Sequence, residues 1–285
     1  MPLLQIVVVS IVQGLTEFLP ISSSGHLILA WQVLEHGTGS PVPPEAQQLI
    51  MDVAVHVGTL GAVMAYLWRE CWLILRGLGT AVRGRSSPGL KLFWLLVLAT
   101  IPVVIAGLLL DRYVGTALRS VEVIAWAFIG FGVLLYVVDK TSLTVKTMQH
   151  IGVGSALFVG AAQVLALIPG TSRAGITMTA ARMLGYERSD AARFSMLLSI
   201  PTIIAAGSLA GYKVYKAGNM QLGFDALAGA VLSFFVALVA IVAMMKWLRR
   251  ATFTPFVIYR VIFGLFLLAV VYGLLKDQIP WLILK

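Results

Sequence analysis

The stretch Gln13-Gly14-Leu15-Thr16-Glu17-Phe18-Leu19-Pro20-Ile21-Ser22-Ser23-Ser24-Gly25-His26 decides the reading of this chain, together with Pro169-Gly170-Thr171-Ser172-Arg173-Ala174-Gly175-Ile176-Thr177. Each interrupts a long apolar run with a proline, a cluster of hydroxyls and a glycine. Between them they bring Glu17, His26 and Arg173 into sequence that otherwise reads as lipid-facing. An ionisable residue at the centre of a bilayer costs at least about 2.5–3.5 kcal/mol, so its first reading is a functional site.

The rest of the chain supports a membrane setting. Of its 285 residues 59% are hydrophobic and 12% are charged, about half the charge of a soluble domain. The net charge is +9. In a membrane protein that excess reports topology and anionic lipid, which sets aside nucleic acid as a partner. Cys71 is the single cysteine, so no intramolecular disulfide forms, and no Cys/His spacing suggests zinc. Cys71 itself reads as inert. The first Lys or Arg is Arg69, so no basic region precedes the first apolar run and a cleaved signal peptide is not expected.

About 20 apolar residues are needed to span a bilayer. The run 3–19 stops at Pro20, and a second short run, 27–34, follows the serines. Two half-length helices around such a break predict a re-entrant hairpin, since irregular backbone at membrane depth must be buried by protein or reached by water. One long kinked helix is the simpler alternative. A loop over 36–51, with Pro41, Pro43 and Pro44, precedes a span over 53–68. A basic loop over 69–91 precedes spans at 92–110 and 123–138, and 139–150 is a polar linker. The second half starts over: an apolar run to Ile168, the Pro169 break, a short helix over 174–184, then spans at 194–212, 226–245 and 256–275. Gly207 and Gly211 offer a close-packing face in the first of these. Trp31, Trp68, Trp72, Trp247 and Trp281 fall near segment ends and read as an interfacial belt.

The fold class expected is therefore an all-α integral membrane protein, with six transmembrane helices plus two re-entrant helical hairpins in an inverted-topology repeat. The first repeat covers residues 1–140 and the second 150–285. Gln13 precedes Pro20-x-Ser22-Ser23 as Gln163 precedes Pro169-x-Thr171-Ser172. Charge sets the orientation. With Arg69–Lys91 in the cytoplasm, that side holds Arg69, Arg76, Arg83, Arg85, Lys91, Lys140, Lys146, Arg182, Arg188, Arg193, Lys246, Arg249 and Arg250. The other side holds Arg112, Arg119, Lys213, Lys216, Lys276 and Lys285. This 13-to-six split follows the positive-inside rule. An odd number of spans per half inverts the second half, so the two broken tips meet near the midplane.

The tips carry anion chemistry. A serine before a helix is a favoured N-cap, and free N–H groups with the helix dipole attract anions. Arg173 adds a planar fork suited to phosphate oxygens. Ser22, Ser24, Gly170, Thr171, Ser172 and Thr177 are the candidate substrate-binding groups, and capping alone is their plain alternative. Gln13 and Glu17 lie four residues apart on one helix face and suit Mg²⁺ or Ca²⁺ bridged to phosphate. Glu17 pairing with Arg173 is the competing account. His26 is an acid/base or nucleophile candidate. His56 shares a face with Asp52 and reads as a supporting polar pair.

These motifs, Gln-Gly-x-x-Glu-Phe-Leu-Pro-x-Ser-Ser-x-Gly-His and Pro-Gly-x-Ser-Arg-x-x-x-Thr, resemble those of the bacterial undecaprenyl-diphosphatase, or bacitracin-resistance, family over nearly the whole chain. The resemblance implies an inner-membrane, multi-pass phosphatase that converts undecaprenyl diphosphate to undecaprenyl phosphate and recycles the carrier lipid for cell-wall synthesis. It implies a divalent cation and a site open to the periplasm, and it leaves a homodimer open. Its acidic motif falls on Gln13 and Glu17, its Ser/His motif on Ser23 and His26, and its arginine motif on Ser172, Arg173 and Thr177. The first acidic position is Gln13, which weakens any scheme needing two carboxylates on the metal. Catalytic roles are then expected of Glu17, Ser23, His26 and Arg173, with Ser23, His26 or water as nucleophile. The rival reading is a secondary transporter or flippase of an anionic phospholipid or small anion, because half-helix ends at the midplane are transporter features too.

Overall fold

Short helices flank each break, and long ones fill the space between. The computed structural model describes residues 1–37, 43–82, 84–113, 120–216 and 223–273. Around the first break stand α1 (Leu3–Thr16) and α2 (Ser23–Gly37), and around the second α7 (Val153–Gln163) and α8 (Arg173–Met183), with a 3₁₀ turn at Val164–Leu167. Helix α1, at 14 residues, is about 21 Å long, too short to cross the ~30 Å hydrocarbon core.

The long helices are α3 (Glu45–Tyr66), α5 (Pro88–Tyr113), α6 (Val121–Thr141), α9 (Arg188–Lys216), α10 (Gly223–Leu248) and α11 (Thr254–Val271). All six are long and apolar enough to span a membrane. Among the described residues the chain is all-α, and its one extended pairing is the bridge between Lys146 and Tyr186. Arg83, Arg119, Lys276, Lys285 and Trp281, used above for orientation and the belt, lie outside the described residues, as does the end of the span expected to reach 275.

The halves interleave. Helix α3 packs on α10 and α9, α1 on α10, α6 on α11, and α5 on α7. Glycines set the closest approaches. A Cβ on Gly58 of α3 would lie 2.1 Å from the Ala230 carbonyl of α10, and one on Gly160 of α7 would lie 2.4 Å from that of Ala99 on α5. Helix α8 is buried from Ala174 to Arg182. Its hydroxyls survive there by bonding back to their own helix: Thr179 Oγ1 donates to Gly175 O at 2.7 Å. At the far end of α8, Arg182 and Arg188 both donate to Asp139 Oδ1, at 3.1 and 2.7 Å. This buried cluster ties α6 to α8 and α9.

Four expectations are corrected. The basic stretch 69–91 is not all loop, because α4 (Trp68–Ala81) folds back on α5 through Gly77, whose Cβ would fall 2.3 Å from Leu90 N. Arg69 and Arg76 lie over the Trp68 and Trp72 rings, so the charges ride on an amphipathic helix. The loop expected over 36–51 ends early, since Pro44 starts α3 at Glu45. Trp31 is buried and donates to Asp52 Oδ1 at 3.3 Å, so it belongs to the interior and not to a belt. Gly207 has nothing within 4 Å of a Cβ position, so it makes no close helix contact and lines a cavity instead.

Candidate active site at the two breaks

The two breaks share a backbone conformation. Ser22 (φ +75°) and Ser172 (φ +73°) are the non-glycine residues with positive φ among the described residues, a conformation that costs about 1–3 kcal/mol and concentrates at functional sites. Each stands directly before a helix, α2 or α8. Ser172 Oγ accepts from Gly175 N at 3.1 Å as an N-cap. Aligned on these serines, Gln13 and Gln163 match at nine residues upstream, and Ser23 matches Arg173. This corrects the alignment on the prolines by one residue.

The matched pair meets at one carboxylate. Arg173 Nη2 donates to Glu17 Oε1 at 2.9 Å. Ser23 Oγ donates to Glu17 Oε2 at 2.7 Å, and Gln13 Nε2 donates to the same oxygen at 2.8 Å. Glu17 is buried and Arg173 nearly so. The pairing of Glu17 with Arg173 weighed above is therefore present. It is single-pronged, and Nη1 makes a long contact, 3.4 Å, to Ser195 O.

A cavity of about 310 Å³ opens over this cluster. Glu17, Ser22, Ser23, Ser24, Ser172 and Arg173 line it on the polar side, with Asp52 and His56 of α3. Leu49, Val53, Ile203 and Ala206 line the apolar side. A polar tip with an apolar flank suits an amphiphile carrying an anionic head. The cavity draws its lining from both breaks, α3 and α9 of a single chain.

Not every predicted residue joins it. His26 turns away: Nδ1 lies 2.6 Å from Ser22 O, Nε2 lies 2.6 Å from Tyr259 Oη, and the ring stacks on Tyr259 and Phe263 of α11. Neither ring nitrogen addresses Ser23. Thr177 Oγ1 is buried against Ser195 Oγ at 2.7 Å and donates to Arg173 O at 2.8 Å, so it braces the arginine's turn from behind. The Gly170 and Thr171 carbonyls face Arg260. Gln13 is fully buried behind Glu17.

His56 outgrows its sequence reading, and Arg260 enters without one. His56 Nδ1 lies 2.6 Å from Asp52 O, and Nε2 lies 3.7 Å from Glu17 Oε2, so the imidazole faces the cluster from α3. Arg260 of α11 is buried completely. It donates to Pro20 O at 3.1 Å, Gly170 O and Ala127 O at 3.0 Å, Thr171 O at 2.9 Å and Phe128 O at 3.0 Å. One side chain thus pins both breaks to α6. The signal for it was an arginine inside an apolar span.

The chain matches one family of known proteins over most of its length. The family described as "Bacitracin resistance protein BacA" matches residues 6–266. The chain belongs to the BacA bacitracin-resistance family. Among its relatives, "Undecaprenyl-diphosphatase 1" of Rhodospirillum rubrum is 47% identical over 284 residues, covering 99% of this chain and all of the relative. "Undecaprenyl-diphosphatase" of Ruegeria pomeroyi is 49% identical over 275 residues, 96% of this chain and all of the relative. That of Hahella chejuensis is 45% identical over 270 residues, 94% of this chain and 98% of the relative.

Proposed function

We propose that this BacA-family protein is a membrane phosphatase that hydrolyses undecaprenyl diphosphate to undecaprenyl phosphate and phosphate. The observation that carries this reading is the convergence of Ser23 and Arg173, one from each break, on Glu17 at the base of a cavity with an apolar wall. The terminal phosphate binds over Arg173 and the serine cluster. Ser23 Oγ attacks the terminal phosphorus, and Glu17 Oε2, already its acceptor, takes the proton. The bridging P–O bond breaks, and undecaprenyl phosphate leaves. Glu17 passes that proton to the departing lipid phosphate; water then attacks the phosphoserine, Glu17 takes the water proton and returns it to Ser23 Oγ, and phosphate departs. Water activated by Glu17 in a single displacement gives the same products. Arg173 and the N–H groups at the start of α8 meet the charge that builds on the equatorial oxygens. His26 serves this scheme by fixing the Ser22 carbonyl and hence the strained turn.

The divalent cation, Mg²⁺ or Ca²⁺, belongs to the same proposal. Gln13 Oε1 is buried with no donor among the described residues, which leaves an oxygen free beside the Glu17 carboxylate. Mg²⁺ needs only one or two protein oxygens when phosphate and water supply the rest. Glu17, which lines the cavity, would hold it there, where it would neutralise diphosphate charge; Gln13 is buried outside the lining, and its Oε1 would have to turn to join.

The two tips act as re-entrant hairpins of an inverted repeat, supported by their matched serines and half-length helices. The charge split supports a periplasmic opening in the bacterial inner membrane. The transporter or flippase reading is not favoured, because the relatives are named diphosphatases.

Phosphate release from undecaprenyl diphosphate by the purified protein tests the reading directly. Glu17→Gln keeps the shape but loses the proton acceptor. It is expected to reduce turnover by about 10²-fold or more, the scale of one pre-organised catalytic group, and added Mg²⁺ or Ca²⁺ should not restore it. Turnover near the native rate would remove Glu17 from the mechanism. Orientation is tested in a Cys71→Ser background by single cysteines at Gly79 and Gly223, both exposed. An impermeant reagent should label Gly79→Cys only from the cytoplasm and Gly223→Cys only from the periplasm. Labelling of both from one side would overturn the inverted arrangement.

A further inference from the structure

We propose that an apolar groove between α3, α4, α5 and α9 seats the isoprenoid chain of the lipid whose diphosphate occupies the cavity at Glu17 and Arg173. The inference rests on the phosphatase reading and names a second subsite for the same substrate. The groove holds about 210 Å³, and its walls include Met64, Cys71, Ile74, Phe93, Ile200 and Ile204.

Continuity with the polar cavity identifies the occupant. On α3, Leu49, Val53 and His56 face the cavity. Met64, which faces the groove, follows Val53 by eleven residues, or about three turns and 16 Å of helix, and so returns to the same side. On α9, Ile203 and Gly207 line the cavity while Ile200 and Ile204 line the groove. These two i,i+4 pairs run side by side on one helix surface. Helices α3 and α9 pack on each other. A single seam therefore leads from a charged tip to an apolar trough.

Helix α4 supplies the groove's outer wall through Cys71 and Ile74, and it contributes nothing to the polar cavity. Surrounding lipid is as apolar as the groove, so hydrophobic transfer gives no preference for a bound chain. Selection must come from van der Waals fit. A long methyl-branched chain anchored by its diphosphate can lie along the seam, whereas a short one ends before the groove.

Cys71, the sole cysteine, is a built-in reporter. It is half-buried in the groove, and burial, with Glu70 beside it, pushes its thiol up from the ordinary value. Alkylation of the native protein by a small maleimide at alkaline pH, read by intact mass, measures access to the groove. Undecaprenyl phosphate at ten times its Kd should slow alkylation about tenfold, while dimethylallyl phosphate, the same head on a single five-carbon unit, should leave it unchanged. Equal protection by both lipids, or none by either, would overturn the proposal. A second arm uses Ile204→Trp, a change at a half-exposed position. It should raise the KM for undecaprenyl diphosphate several-fold and leave that for dimethylallyl diphosphate at its native value. An equal change for both substrates would also count against the seat. If the native protein releases phosphate from neither diphosphate, the phosphatase reading fails, and chain-length-dependent protection of Cys71 still decides the groove on its own.

Discussion

Arg260→Lys is expected to lower both the melting temperature and the turnover of the protein, although it preserves charge. Arg260 is buried without a carboxylate partner among the described residues, and its five N–H groups go to five backbone carbonyls. Lysine has three donors and no planar fork, so at least two carbonyls lose their partner. At about 1–3 kcal/mol for each buried group left unmet, the cost is about 2–6 kcal/mol. The five carbonyls include those of Pro20, Gly170 and Thr171, which lie just before the two strained serines. Relaxation there moves Ser23 and Arg173 relative to each other. Turnover should therefore fall more than stability alone explains, even at temperatures where the variant stays folded. Thermal melting alongside kcat and KM in detergent checks this. A lysine variant that melts early but turns over at the native rate would reduce Arg260 to a purely structural tie.

The parts of this protein that follow from run length and local chemistry were legible in its sequence. The six long apolar helices appear where unbroken apolar runs predict them. The breaks at Pro20 and Pro169 appear because proline and clustered hydroxyls cannot continue an apolar helix. Glu17 and Arg173 stood out as candidates because charge inside such segments is costly, and the structure brings the two together. What stayed hidden depends on contacts far apart in the chain. His26 follows the serines closely, yet its direction is set by Tyr259 and Phe263 on α11. His56 looked paired with its own helix neighbour, and only the packing of α3 beside α1 turns it toward Glu17. Arg260 bonds to carbonyls alone, and a backbone carbonyl leaves no mark in sequence. Helix α4 was missed because its arginines read as loop charge, whereas they lie over its own tryptophans.

Arg173→Lys should keep the fold and lose most of the rate. The guanidinium gives Glu17 one nitrogen, Nη2 at 2.9 Å, and among the described residues Nη1 has only the long contact to Ser195 O. That leaves donor capacity for phosphate in the cavity that Arg173 lines. Its position as the first residue of α8, after a capped and strained Ser172, aims it together with the α8 N–H groups at the same anion. A lysine ammonium can still neutralise Glu17, so stability should hold. It cannot hold two phosphate oxygens in a plane. If the fork acts mainly as charge develops in the transition state, turnover should fall by about 10²–10³, the scale for one pre-organised donor, with a smaller change in KM. Arg173→Ala separates the two roles further. It leaves Glu17 buried beside only Ser23, Gln13 and His56, so it should lower the melting temperature as well as the rate. Double replacement with Glu17→Gln should then restore much of the stability and none of the activity, because the uncompensated carboxylate is gone while the phosphate fork remains absent. Melting temperature, kcat and KM on the three variants distinguish these contributions. A lysine variant with near-native kcat would show that Arg173 serves only to neutralise Glu17.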